Sequence, residues 1–355
     1  MKENTSETIG CDLGDKRSAV AVLNTDGEVT LRTSLRTTTK AMREFFTRTP
    51  AHVVIEVGTH SRWVSGLLKE LGHRVTVANP RKVKLIAESD NKDDPHDAEL
   101  LGRLGRVDVK LLAPITHRGA QAQADLAVPK ARDVLVATRT KLINHVRGTV
   151  KCFGDRLSKC SSEAFACWTR ELIPTALKAA LEPVYQVLDR IDEQIREQDK
   201  MIGRVAKRYP DVEVVSQIHG VGVLTALSFL LTLEDKERFT DSRMVGPYLG
   251  LRPRKRKSGD DHPELPITKA GDPFVRRLLV NAANHILGPF GKDSDLRRWG
   301  LELAKRGGKN AKKRAIVAVA RKVAVLMHRL WVTGEVYEPL GYHQRQIQER
   351  QAAAA

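Results

Sequence analysis

Cysteine is scarce in this sequence. Its 355 residues include four, Cys11, Cys152, Cys160 and Cys167. None forms a C-x-x-C pair, and no cysteine–histidine cluster has zinc spacing, which argues against a disulfide framework or a zinc site. Reduced thiols in a cytoplasm are the expectation. Long apolar runs are missing too. No stretch of about 18 apolar residues occurs, so no helix is expected to cross a bilayer. The opening MKENTSETIG is polar and runs straight into a strand pattern, unlike a signal or transit peptide, and the closing QAAAA carries no fold information. Carboxylates are outnumbered, with 43 Asp and Glu against 60 Lys and Arg, a net charge of +17. That balance points to a polyanion partner, nucleic acid before an acidic membrane surface. Hydrophobic residues make up 41%, enough for a core, and the length allows two or three domains.

The first part of the chain reads as α/β. Strands are expected at Thr8–Leu13, Ser18–Leu23 and Glu28–Arg32, with Asp26-Gly27 as a turn. A helix over 39–49, a strand over 51–58, a helix at Ser61–Leu71 and a strand over 73–80 follow. This order predicts a mixed sheet. Beyond it, glycine and strand signals thin out. In residues 181–202, Leu181, Val184, Leu188, Ile191, Ile195 and Ile202 line one helical face. That stripe suits either a coiled-coil oligomerisation arm or a helix packed on its own domain. Residues 212–335 read as mostly helical, opening with Gly220-Val221-Gly222, a helix-hairpin-helix-like turn. The expected boundaries are 1–115, 116–209, 210–340 and a tail at 341–355.

The acids are placed unevenly. Asp12 lies alone in the apolar strand IGCDLG, and Glu56 alone in VVIEVG. Buried unpaired carboxylates are costly, so each either faces solvent or has a task. The segment SDNKDDPHDAELLGRL adds Asp94 and Asp97, three apart on one helical face. Asp94 suits a helix N-cap, Pro95 the first turn, and Asp97 the positive end of the helix dipole. Taken together, the four carboxylates can converge on two divalent cations, Mg²⁺ or Mn²⁺, for phosphoryl displacement. Asp15, Asp90 and Asp93 are competing candidates.

A second dense region covers 248–287. Arg252, Arg254, Lys255, Arg256 and Lys257 lead into Ser258-Gly259, and Lys269, Arg276 and Arg277 follow. Such a run is suited to phosphate binding. A serine in a cationic loop can also serve as a nucleophile, with guanidiniums stabilising a pentavalent phosphate. Lys312, Lys313 and Arg314 begin an amphipathic helix and read as a further backbone-contacting face.

The ordered motifs resemble one family. They are Gly10-Cys11-Asp12, Glu56-Val57-Gly58-Thr59, Lys92 to Ala98, Gly250-Leu251-Arg252-Pro253 before Ser258-Gly259, and Ile267 to Asp272. This pattern, spread over nearly the whole chain, resembles the insertion-sequence one-ten transposases, including their eleven-eleven branch, DEDD enzymes described as bridge-RNA-guided recombinases. Asp93 stands where that family usually has threonine, and Asp15 where lysine is common. The resemblance implies an RNase H-like (RuvC-like) first domain with Asp12, Glu56, Asp94 and Asp97 as metal ligands, usually of Mg²⁺. It implies Ser258 as a nucleophile joined covalently to DNA, a coiled-coil dimerisation segment and a helical transposase domain. It also implies a structured guide RNA, donor and target DNA as partners, and dimers assembling to a tetramer in a bacterial, nucleoid-associated setting. Two other functions fit the residues: a metal-dependent nuclease or junction resolvase that uses water, and a non-catalytic nucleic-acid-binding protein.

Overall fold

The computed structural model describes residues 7–79, 94–254, 265–308 and 310–341. Asp90, Asp93, Lys255, Arg256, Lys257 and Ser258 lie outside them, as does the side chain of Asp94. The chain divides into two compact units, Met1–His117 and Arg118–Ala355.

The first unit is a five-stranded sheet in the order β3-β2-β1-β4-β5. Its strands are β1 (Thr8–Asp12), β2 (Arg17–Leu23), β3 (Val29–Arg36), β4 (His52–Glu56) and β5 (Arg74–Ala78). β1 runs antiparallel to β2 and parallel to β4. The β2–β3 turn forms as the Asp-Gly signal predicts: Gly27 takes φ +89°, and the Asn24 side chain accepts from the backbone of Asp26 and Glu28. β3 extends four residues beyond the expected Arg32. Its last residues pair with Arg17–Val20. Val29, Leu31 and Leu35 alternate with Thr30, Arg32, Ser34 and Arg36, but Thr33 interrupts the apolar series just past the expected end.

Side-chain parity divides the sheet into two faces. Ile9, Cys11, Val20, Val22, Val53 and Ile55 pack on α1 (Thr39–Phe46) and α2 (Ser61–Glu70). Ala19, Ala21, Leu23 and Val54 face α3 (Asp94–Val107). α3 begins at Asp94, with Pro95 in its first turn. Its seat on the sheet depends on small residues. A Cβ on Gly10 would stand 1.8 Å from the Ala98 carbonyl oxygen, and one on Gly102 would stand 2.7 Å from Leu23.

The second unit is helical. α4 (Ala120–Cys152) and α6 (Thr175–Ala206), joined through the short α5 (Phe165–Thr169), form an antiparallel hairpin. Arg132–Asp199 and Arg139–Asp192 ion pairs cross it two turns apart on each helix. The predicted stripe falls inside the chain. Leu181, Leu188, Ile191, Ile195 and Ile202 are all buried, the first two against Ile143, Val146, Val150 and Phe165. Packing within one chain therefore accounts for it. The remaining helices are α7 (Asp211–Ser216), α8 (Val223–Leu233), α9 (Val245–Tyr248), α10 (Pro273–Leu287), α11 (Asp295–Lys305) and α12 (Ala311–Thr333). They enclose a core that includes Phe229, Leu279, Val323 and Met327. The turn before α8 needs Gly220, whose φ is +93°.

Candidate active site

β1 and β4 end together. Cys11 is level with Ile55, so the next positions are Asp12 and Glu56, side by side at the carboxyl ends of two central strands. Parity places Asp12 on the face of Gly10, and Glu56 on the face of Val54. That is the face covered by α3. The first turns of α3 come over this corner because Gly10 and Gly102 let its backbone close onto β1. Leu101 and Ala98 are buried in the contact. Asp97, one turn before Leu101, is held half-buried beside the strand acids.

The electrostatics reflect this convergence. Burial, then the charges of Asp12 and Asp97, raise the Glu56 carboxyl above its ordinary value. Asp97 Oδ1 is buried and has no hydrogen-bond partner among the described residues. A buried carboxylate oxygen without a donor is costly. Carboxylate oxygens suit a hard divalent cation, which makes Asp12, Glu56 and Asp97 candidate ligands. The three interact through charge without forming a tight cage: among the described residues, no three His, Cys, Asp or Glu side chains are grouped closely enough to hold an ion. The backbone of Asp94 lies at the start of the same helix. Asp15 stands apart, exposed and 3.5 Å from His60 Nε2. Cys11 points to the opposite face, where burial and then Asp12 push its thiol far above the usual range.

In the second unit, the segments around Ser258 form a short antiparallel ribbon. Pro253 bridges Ile267, and backbone bonds join Arg254 to Pro266, Thr268 to Arg252 and Lys269 to Gly250. Gly250 has φ +72°, and its added Cβ would stand 2.6 Å from the Ala270 nitrogen. At Gly271 the corresponding clash is 2.2 Å, with the Tyr248 carbonyl oxygen. These two motif glycines therefore allow the two segments to cross backbone on backbone. Asp272 caps α10 through the Phe274 and Val275 N–H groups and takes an ion pair from Lys130 at 3.2 Å. Against the penalty of burial, Lys130 and those backbone donors hold its carboxyl below the ordinary value.

The basic residues divide in two. Arg252, Arg254, Lys269, Lys312, Lys313 and Arg314 are exposed. Arg276 instead directs Nη1 to the carbonyls of Leu249 and Gly271, bracing the base of the ribbon. Arg277 pairs with Asp133 at 2.5 Å. The Lys130 and Asp133 partnerships were not visible in sequence, because they join positions more than a hundred residues apart. The role of Gly10 had a signal: glycine inside a strand often marks close backbone approach.

Residues 9–153 match the family DEDD_Tnp_IS110, described as "Transposase". Residues 212–295 match "Transposase IS116/IS110/IS902 family". The chain is 31% identical over 275 residues to "Transposase for insertion sequence element IS1111A" of Coxiella burnetii, covering 75% of this chain and 74% of that one. It is 26% identical over 340 residues to "Probable family 20 transposase" of Pseudomonas aeruginosa, covering 93% and 98%. It is 27% identical over 280 residues to "Transposase for insertion sequence element IS1328" of Yersinia enterocolitica, covering 78% and 82%.

Proposed function

Because the chain belongs to the IS116/IS110/IS902 transposase family, a family of DNA-cleaving and DNA-transferring enzymes that use divalent metal, we propose the following chemistry for it. Asp12, Glu56, Asp94 and Asp97 hold divalent cations, Mg²⁺ or Mn²⁺. Ser258 Oγ attacks the scissile phosphate: a P–O bond to the serine forms as a P–O bond of the DNA strand breaks, and a free strand end leaves with its hydroxyl. A hydroxyl end then reverses the exchange on a second DNA, releasing Ser258. Bound cations supply positive charge against the phosphate in flight. The exposed Arg252, Arg254 and Lys269, with Lys255, Arg256 and Lys257, contact the DNA backbone. Lys312, Lys313 and Arg314 extend that contact.

The carrying observation is the register that sets Asp12 beside Glu56, with Asp97 above them keeping one buried oxygen unpartnered. The finer reading is that of the one-ten family's eleven-eleven branch. A structured guide RNA pairs with donor and target DNA, and dimers assemble to a tetramer in which one subunit's acids work with another's serine.

The test is covalent trapping. Protein, candidate RNA from the flanking noncoding DNA, labelled donor and target DNA and Mg²⁺ are mixed and resolved on a denaturing gel. A protein–DNA adduct, lost in both Ser258→Ala and Asp12→Ala, is the expected outcome. Cleavage without adduct, unchanged in Ser258→Ala, would instead mean a nuclease that uses water.

A further inference from the structure

The register that sets Asp12 beside Glu56 also brings two arginines to the same face of the sheet. Ala19 is directly opposite Asp12, and Ser34 directly opposite Ala19. Two residues farther along, Arg17 and Arg36 are directly opposite one another on β2 and β3. Directly paired strand residues share a face, and so do residues two apart. Arg17 and Arg36 therefore lie on the acid-bearing face, at the same end of the sheet. They are about 7 Å past the level of Asp12, one and two strands away.

Like charges directly opposite each other weaken a strand pair. Three other arginines on this side of the unit are already engaged. Arg32 and Arg103 share Glu99, and Arg106 donates to the carbonyls of Asn24 and Thr25. Arg17 and Arg36 are exposed, and neither has a carboxylate partner among the described residues. The Arg17 guanidinium and the backbone that carries Arg36 are nonetheless held in place. Arg17 donates to Ser34 Oγ at 3.0 Å and to the Ser34 carbonyl at 2.8 Å. Thr37 fastens the end of β3 to the β1–β2 turn: its N–H donates to the Lys16 carbonyl and its hydroxyl to the Gly14 carbonyl. Ser18 Oγ completes that tie with Thr37 Oγ1 at 2.8 Å.

We propose that Arg17 and Arg36 form a phosphate-binding rim that seats the backbone of the DNA strand flanking the one being cut at the acidic corner. The charges favour this occupant. Clustered carboxylates repel an approaching polyanion, and two exposed guanidiniums at the margin offset that repulsion. The planar fork of arginine matches phosphate oxygens. The inference rests on the reading of Asp12, Glu56 and Asp97 as the reaction site.

The test uses the full-length protein and a labelled DNA duplex, with affinity measured by anisotropy over a series of salt concentrations in EDTA. Removing two phosphate contacts should lower the slope of log affinity against log salt by about 1.8. That fall is expected for Arg17→Gln/Arg36→Gln, with about half of it for Arg36→Gln alone. Arg36→Gln removes charge from an exposed side chain and carries the test if the double variant fails to fold. Arg43→Gln on α1, across the sheet, is the control and should leave the slope unchanged. An unchanged slope in Arg36→Gln, an equal fall in Arg43→Gln, or a fall seen with an RNA duplex but not with DNA overturns the proposal. The underlying reading is tested separately by the Mn²⁺-induced rise in melting temperature. Loss of the rim effect with that rise intact condemns the rim alone. Absence of the rise in wild-type protein condemns the metal reading.

Discussion

At the scale of single residues, Glu56 is the most informative. Its carboxyl titrates above the ordinary value because of burial and of the charges on Asp12 and Asp97. A carboxyl raised in the fold is most favourable when protonated, so its ionisation opposes folding. Below its unfolded value this penalty is absent. It grows as pH rises and is complete above the folded value. Metal-free protein should therefore lose melting temperature, on this account, as pH rises through that window. Glu56→Gln should flatten the dependence and raise the metal-free melting temperature. The same variant should abolish the Mn²⁺-induced rise in melting temperature and cut DNA cleavage by orders of magnitude. Scanning fluorimetry across pH, with and without Mn²⁺, checks all but the last. Asp12 and Glu56 were legible in sequence because a lone acid stands out in an apolar strand. The bracing role of Arg276 was not legible. A basic run does not reveal that one of its guanidiniums turns inward to the Leu249 and Gly271 carbonyls.

At the scale of elements, two contacts govern geometry. The seat of α3 depends on Gly10. An alanine there places a methyl group 1.8 Å from the Ala98 carbonyl oxygen. Gly10→Ala should cost about 3 kcal/mol, the upper end of overpacking effects. It should also weaken Mn²⁺ binding by lifting Asp97 off the corner. Chemical denaturation and Mn²⁺ titration measure the two effects. In the helical hairpin, buried Arg139 reaches both Asp192 and Glu163. Arg139→Ala strands Asp192, which is 9% exposed, and should cost about 3 kcal/mol or more by denaturant unfolding. Strand and helix order in the first unit followed from periodicity and turn chemistry. The length of β3 did not, because polar Thr33 breaks the apolar alternation of Val29, Leu31 and Leu35.

At the scale of the whole molecule, each unit has its own buried core. Residues 118–341, expressed alone, should therefore be soluble and helical, and should melt cooperatively by circular dichroism. An unfolded fragment would contradict the division. No helix among the described residues is long and apolar enough to cross a membrane. The charge of +17 should make DNA affinity fall steeply with salt. Because the stripe on α6 is filled from within the chain, it does not require a second copy. Assembly with RNA and DNA, followed by light scattering, should show whether dimers and tetramers form through other surfaces.

Residue types and their order along the chain are local properties, and they disclosed the α/β beginning, the helical remainder, the acids, the cationic run before Ser258 and the pull toward nucleic acid. What they could not disclose was distance. That Asp12 and Glu56 end level on adjacent strands follows from register. That Asp97 joins them follows from backbone contact at two glycines. That Arg17 meets Arg36 follows from an antiparallel ladder. Each is a long-range contact whose partners are selected by packing, so each appears only once the chain has folded.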